Sequence, residues 1–574
     1  MKKFFNWKVA LLAIIILAAV LRLWQLGNIP SGLTNDEAGV GWDAYSILHT
    51  GKDQWNQFLP LHFMAFGDYP APLLRYITVP SIFIFGLNAF ATRFPSALFG
   101  LFAVGVMFLL GRKLFNEKVG ILSALLLAIS PWAIGLSRVT IEPNVAMCLF
   151  ILGLLLYFAA LKKIKFLYLS ALIFALVLYT YSAYVLFLPL VALALLIWNH
   201  KHVRENPKVY IIAALLFVVI LIPNFLTKNT TASVRFSQVG ITTNINSIGL
   251  INTLNDQRGA CQTSYNQIIC KIVDNKIVLF TSSFVKNYTA HFNINFLYNN
   301  GTSTQFSILP ERGLEYVFEL AFFILGLVRI VRYKDRKGYL LILLLLLSPI
   351  PDSLTGDGHY GRASLILPFI LLIEGLGLFS LSEIVSRISL SYVRKAFYLL
   401  LGLVMFSAVF AFWINYTTYF KNYYSIYSQY GYENLMKQVY SYRNNYDRIY
   451  ISRHLNDTKQ YVYYLFYSQY DPRKFQNKID VSYSQSSDGW ISINKIENIY
   501  FVQNPPVIPD DSTLAKEKIL IISNPVDFPK SVKPVFTIKD KLGNILFKAI
   551  NLSDLIRYNL EHKELILKEN GQAN

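Results

Sequence analysis

Apolar runs of about twenty residues recur along this chain, the first at Val9–Leu26, and they leave few folds open. A run of that length crosses the ~30 Å hydrocarbon layer as one helix. Inside lipid every backbone N–H and C=O must be paired within the protein, so the spanning segments are helices. With 54% hydrophobic and 15% charged residues over 574 positions, and a mean hydropathy of +0.40, the sequence reads as a polytopic α-helical membrane protein.

Hydropathy predicts eleven spans, at 9–26, 94–111, 119–132, 144–161, 166–181, 182–198, 209–226, 311–331, 338–350, 363–381 and 396–414. The first is read as a retained anchor, because no small-residue cleavage site follows it and the run continues into Arg22-Leu23-Trp24. Alternate loops are basic: Lys2/Lys3/Lys8, Arg112/Lys113/Lys118, Lys162/Lys163/Lys165, Lys201/Arg204/Lys208, Arg332/Lys334/Arg336/Lys337 and Arg387/Arg394/Lys395. These carry most of the formal +19 and are assigned to the cytoplasm, which puts the N-terminus inside and the C-terminal region outside. Charge scattered over short inter-span loops also argues against a nucleic-acid partner and toward membrane lipids. The expected location is the cell membrane, plasma or inner.

Leu73 to Leu87 is apolar enough to resemble a span, yet counting it would invert every later loop. It is therefore expected to lie in the outer interface, broken by Pro80, with Arg75 near the headgroups. The membrane domain then covers 1–414, with outer loops at 27–92 and 227–310. The second loop is polar and carries Cys261 and Cys270 on the oxidising side, where a local disulfide is plausible and two free thiols are the alternative. Cys148 lies in a span and reads as core packing. Residues 415–574 hold no span and alternate helical and strand patterns, with strands at 447–452, 518–523, 535–538 and 545–548. They form a candidate α/β domain outside the membrane.

Chemistry-bearing residues gather at three places on the outer side: Thr34-Asn-Asp36-Glu37 with Gly67-Asp-Tyr69-Pro-Ala-Pro72 in the first loop, Ser137-Arg138-Val-Thr-Ile-Glu142-Pro-Asn144, and Asp357-Gly-His359-Tyr-Gly-Arg362. Structural readings stand beside each. Asp36 and Glu37 are also what a helix's first turn favours. Arg138 and Glu142 stand at ion-pair spacing. Arg362 and His359 suit interfacial anchoring, and residues 68–72 suit a rigid turn.

In this order on one face, the acidic pair, the interfacial helix, Gly-Leu-Asn-Ala-Phe-Ala-Thr-Arg93-Phe-Pro-Ser-Ala, Ser-Pro131 with Arg138 and Glu142, and His359-Tyr-Gly-Arg362 resemble the GT-C class of membrane glycosyltransferases over about 1–410. The nearest branch holds the protein O-mannosyltransferases and the lipid A aminoarabinose transferases. That resemblance implies transfer of a sugar from a polyprenyl-phosphate donor to an acceptor protein, glycolipid or cell-envelope glycan, with inversion. It implies Asp36 as general base, Glu37 and Glu142 orienting hydroxyls or joining Asp36 around a divalent cation (Mg²⁺ or Mn²⁺), and Arg138, Arg362 and His359 at the lipid phosphate. Asn144 would contact the sugar. Tyr69 is the donor-side candidate where many relatives place a Lys or His before a Pro-Pro, and Glu142 stands where many have an Asp. A flippase of lipid-linked saccharides is the competing class, expected to carry repeats and midplane charges, whereas this chain gathers its charges at one face. A non-catalytic scaffold is a third reading.

Overall fold

The computed structural model describes residues 6–226, 248–302, 308–356, 358–453, 459–486, 490–503 and 517–562. Lys2, Lys3, Asp357 and the whole of 227–247 lie outside the described residues.

Each expected span overlaps a helix, although 311–318, the start of the eighth, lies outside it. The chain runs through α1 (Trp7–Leu23), α2 (Asn35–Thr50), α3 (Leu73–Phe85), α4 (Ala89–Leu114), α5 (Glu117–Ile129), α6 (Pro131–Ser137), α7 (Glu142–Ala160), α8 (Phe166–Leu178), α9 (Tyr184–Trp198), α10 (His200–Glu205) and α11 (Pro207–Leu226). After α12 (Ile248–Gln262), α13 (Gln267–Val273) and α14 (Lys276–Ala290) it returns through α15 (Glu319–Tyr333), α16 (Arg336–Leu347), α17 (Ile350–Ser353), α18 (Leu367–Ser386) and α19 (Ser391–Asn415). Among the described residues five helices are long and apolar enough to cross a membrane, and α5 with α6 adds a sixth if that pair, bent by 61°, counts as one. In α7, 78% of the apolar window is buried, against 6% in the segment containing α19, so α7 is the bundle's centre and α19 its rim.

The bend between α5 and α6 departs from the straight span expected at 119–132. Pro131 has no N–H to continue the ladder, so carbonyls at the end of α5 lose their partners, and Arg22 replaces them: Nη1 donates to Ala128 O and Nη2 to Leu127 O, each at 2.9 Å. Arg138, just past α6, returns the contact by donating to Leu21 O, Trp24 O and Ile29 O at 3.0, 2.7 and 3.0 Å. Two buried arginines thus staple the end of α1 to the bend.

Basic side chains gather at one end of the bundle. Arg112 stacks over Trp7, 5.2 Å from the ring centre, Lys337 Nζ donates to Leu114 O at 2.6 Å, and Trp198 Nε1 donates to Arg336 O at 3.1 Å. At the opposite end lie α2, α3 and the sheet domain. Pro80 does not break α3, which runs through it, and Arg75 is buried inside the protein instead of reaching headgroups. Phe83, Ile84 and Phe85 do leave an apolar tip exposed at the end of α3. The second loop, read as polar, holds α12 to α14 among its described residues, and Cys261 and Cys270 are bonded to each other, as one of the two readings had it. Cys148 is buried.

The C-terminal region holds α20 (Tyr432–Tyr442), β1 (Arg448–Ser452), α21 (Tyr461–Tyr467), α22 (Pro472–Gln476), β2 (Val481–Gln485), β3 (Ile491–Ile496), β4 (Ile499–Val502), β5 (Ile519–Ser523), β6 (Phe536–Lys539), β7 (Ile545–Asn551) and α23 (Leu552–Glu561). Among the described residues seven strands make one sheet in the order β2-β3-β4-β1-β5-β7-β6. β1 pairs in parallel with β4 and β5, and the remaining pairs are antiparallel.

Its core is shared with the 27–92 segment. Ala38, Trp42, Ala65 and Phe66 join Leu435, Ile449, Tyr461 and Phe466 in one buried cluster. Gln476 Nε2 donates to Ser46 Oγ at 2.9 Å and Thr50 Oγ1 at 2.8 Å, and Gln429 Oε1 accepts the Asn35 N–H at 2.8 Å. Gly41 lets α2 approach α21, since a Cβ there would lie 2.5 Å from the Phe466 ring. The seam fixes α2, and with it Asp36.

Candidate active site

Thr34 caps α2 through a reciprocal box: its Oγ1 accepts the Glu37 N–H at 3.3 Å, and Glu37 Oε2 accepts the Thr34 N–H at 3.0 Å. The box turns two neighbouring acids apart. Glu37 is fully buried, receiving Arg93 Nε at 2.7 Å, Arg93 Nη2 at 3.0 Å and the Thr140 N–H at 3.1 Å. Asp36 is exposed, and no side-chain hydrogen bond engages its carboxylate among the described residues.

Asp36 faces a cavity of about 720 Å³. The first loop adds His62, Phe66, Asp68 and Arg75 to its wall, the start of α7 adds Glu142, and the segment before α18 adds His359 and Arg362. The turn between α8 and α9 adds Thr180, Tyr181 and Ser182. α8 has 13 residues and spans about 20 Å at 1.5 Å per residue. It therefore falls short of a full crossing, and the turn that follows it supplies wall to the cavity.

Arg75 organises the acids of this space. Its Nε donates to Asp43 Oδ2 at 2.8 Å and its Nη1 lies 3.5 Å from Glu142 Oε1. Arg362 is held from behind: Nε donates to Asp352 Oδ1 at 2.6 Å, and neither Nη has a hydrogen-bond partner among the described residues. Asp352 also accepts from His291 Nε2 at 2.9 Å and from the His359 N–H at 2.9 Å. Burial alone would raise this carboxyl. The His291 hydrogen bond and the Arg362 charge outweigh that and hold it below the usual carboxylate range. His359 Nδ1 accepts the Gly361 N–H at 3.1 Å, so the neutral ring carries its proton on Nε2. Burial lowers the pKa of His62, and its hydrogen bonds to Asn224 oppose that shift only in part.

Of the predicted site residues, the structure brings Asp36, Glu142, His359 and Arg362 to one cavity. Four others need correction. Glu37 is spent on Arg93, and Arg138 on the carbonyls at the end of α1. Asn144 is buried against Ser96, donating to its O at 2.7 Å and its Oγ at 3.1 Å. Tyr69 does not line the cavity, although Asp68 and Pro70 beside it do. The Asp36, Glu37 and Glu142 set does not fit a divalent cation, because Glu37 faces Arg93. Among the described residues no group of three His, Cys, Asp or Glu side chains is arranged to hold a metal. Arg138 and Glu142 are not paired, and Glu142 takes Arg75 instead. Lys459 and Trp490, from the sheet domain, also line the cavity and had no sequence signal, standing more than 400 residues from Asp36.

Residues 68–226 match the family model described as dolichyl-phosphate-mannose-protein mannosyltransferase. None of the curated proteins matches the chain. Among solved structures, the fold is similar to that of the archaeal oligosaccharyltransferase AglB from Archaeoglobus fulgidus, in complex with an inhibitory peptide and a dolichol-phosphate. The TM-score is 0.52 at 13% identity, over 81% of this chain and 64% of AglB, so this chain spans less than two thirds of that relative. ArnT from Cupriavidus metallidurans is similar over nearly its whole length. The apo state gives a TM-score of 0.51 at 12% identity, over 96% of this chain and 98% of that one. The form bound to undecaprenyl phosphate gives 0.50 at 11%, over 95% and 98%. The likeness to GT-C class membrane glycosyltransferases read from the sequence stands in these comparisons, and the fold is GT-C: mostly helical, with several apolar helices and a C-terminal sheet domain.

Proposed function

We propose that this cavity takes a polyprenyl-phosphate-linked sugar at the outer face of the membrane and passes the sugar to an acceptor hydroxyl, inverting the anomeric centre. The observation that carries the reading is one cavity holding an exposed, unengaged Asp36 carboxylate together with Arg362, whose two Nη groups are open. In this reading Asp36 accepts the acceptor's proton as its oxygen attacks the anomeric carbon. The bond from that carbon to the phosphate oxygen breaks on the opposite side, and its electron pair leaves with the polyprenyl phosphate. Arg362, held by Asp352, and His359 Nε2–H neutralise the charge that grows there. Arg75 fixes Glu142 as a partner for sugar hydroxyls. The two neighbours, one in complex with a dolichol-phosphate and one bound to undecaprenyl phosphate, support the lipid class.

Mass spectra of lipids and glycans from cells with and without the protein test this reading. Loss of the protein should leave a polyprenyl-phosphate sugar accumulating and one envelope glycan, glycolipid or glycoprotein short of a residue. Identical spectra would contradict it.

A further inference from the structure

The sheet domain contributes two side chains to the cavity, a cation and an aromatic. Lys459 Nζ sits 4.4 Å from the centre of the Phe66 ring and 5.7 Å from that of Trp490. All three residues line the cavity that Asp36 faces. They are also held close to Asp36. Asp36, Gly39 and Val40 share a face of α2 at helical spacing, and a Cβ on Gly39 would lie 3.8 Å from Phe66 Cζ. Phe66 is fixed in turn, because its carbonyl accepts the Ile491 N–H at 3.0 Å, which joins the first loop to β3 beside Trp490. The edge of the Phe66 ring also meets Tyr461, at 5.8 Å between centres.

The cations of the wall divide by task. Arg75 is committed to Asp43 and Glu142, and Arg362 is braced by Asp352. Lys459 reaches the cavity across aromatic faces. Flat aromatic faces take the apolar face of a sugar ring as well as they take a cation, and an ammonium beside them pairs with a carboxylate or phosphate. A neutral hydroxyl-bearing peptide would gain little from that charge.

We infer that Lys459, Trp490 and Phe66 form the acceptor subsite, and that the acceptor is a saccharide bearing an acidic group, carboxylate or phosphate, close to the accepting hydroxyl. This rests on the glycosyl-transfer reading above and adds the acceptor's chemistry and the role of the C-terminal domain. Lys459 and Trp490 bind and orient the acceptor, while Asp36 takes the proton.

The test uses the full-length protein in nanodiscs. Radiolabelled polyprenyl-phosphate-sugar lipids serve as donor, and the acceptors are envelope glycan and glycolipid fractions and the protein fraction extracted from cells lacking the protein. Label should appear in a saccharide product retained on an anion exchanger. Lys459→Gln should raise KM for that acceptor about 10- to 100-fold, the worth of one charge-assisted hydrogen bond, with kcat and undecaprenyl phosphate binding near wild type. Lys459→Arg should restore much of the loss, and Trp490→Ala should raise KM where Trp490→Phe does not. Label in protein or in neutral glycan, or an unchanged KM in Lys459→Gln, overturns the subsite while leaving the transferase reading standing. No transfer by wild type to any fraction overturns both.

Discussion

Asp36 and Glu37 are adjacent acids with opposite surroundings, and the Thr34 capping box sets the difference. Glu37 neutralises buried Arg93, so Glu37→Gln should cost about 3–5 kcal/mol by stranding that charge, seen as a large drop in thermal midpoint and in yield. Asp36→Asn should leave the midpoint unchanged. If the two variants melt alike, the assignment of structural and chemical roles is wrong. Asp352 supplies a pH test. Its folded value is depressed by His291 and Arg362, so its stabilising share is present in full above the unfolded value of about 4 and is lost as the pH falls through the folded value. Thermal midpoints should therefore show a steeper acid loss below about pH 4 in wild type than in Asp352→Asn, and equal slopes would contradict the network. Sequence made the acidic pair, Glu142 and the His359/Arg362 segment visible as candidates. It did not show that Glu37 is buried against Arg93, or expose the backbone carbonyls that occupy Arg138, because both depend on partners far along the chain. Arg75 was visible but misplaced, since its partners Asp43 and Glu142 come from other elements.

Helices were legible because an apolar run long enough to cross lipid has one stable form, and every expected span has its helix. Departures occur where a local residue overrides the run. Pro131 bends the third span into two pieces, while Pro80 sits inside α3 without ending it. The strands Arg448–Ser452, Ile519–Ser523 and Ile545–Asn551 were signalled by β-branched runs, whereas β2, Val481-Ser-Tyr-Ser-Gln485, is mostly polar and exposed and gave no such signal. α12 was hidden by its polar composition. Two measurements belong at this scale. Gly41→Ala places a Cβ 2.5 Å from Phe466 and 2.7 Å from Thr92 Oγ1, and should destabilise the seam by about 1–3 kcal/mol. Limited proteolysis should then release the sheet domain sooner than in wild type, and unchanged kinetics would mean that α2 is not wedged there. Unfolded without reductant, the protein should alkylate at Cys148 alone, and at all three cysteines after reduction. Three modified cysteines before reduction would contradict the Cys261–Cys270 bond.

At the scale of the molecule, the 27–92 segment and the C-terminal sheet share one core, so Asp36 and the Lys459 and Trp490 wall beside it are brought to one cavity from both ends of the chain. Sequence placed the C-terminal region outside the bundle as an α/β unit. The shared core was not legible, because the residues that build it lie some 400 positions apart and each half patterns correctly alone. The gathering of basic side chains at the end opposite the cavity motivates an orientation with the N-terminus in the cytoplasm and the cavity outside. Reporter fusions after Lys165 and after Asn574 should therefore report opposite sides, and a cysteine at Ile84 should label from outside only. A shared side for the two fusions would refute that orientation. The central claim is that Asp36 is the base of a sugar transfer from a lipid phosphate. It is tested most directly by single-turnover transfer in nanodiscs from a radiolabelled polyprenyl-phosphate sugar, comparing wild type with Asp36→Asn at equal donor occupancy. The account predicts unchanged undecaprenyl phosphate binding and a rate lower by about 10²- to 10⁴-fold. Transfer by Asp36→Asn at the wild-type rate would contradict it.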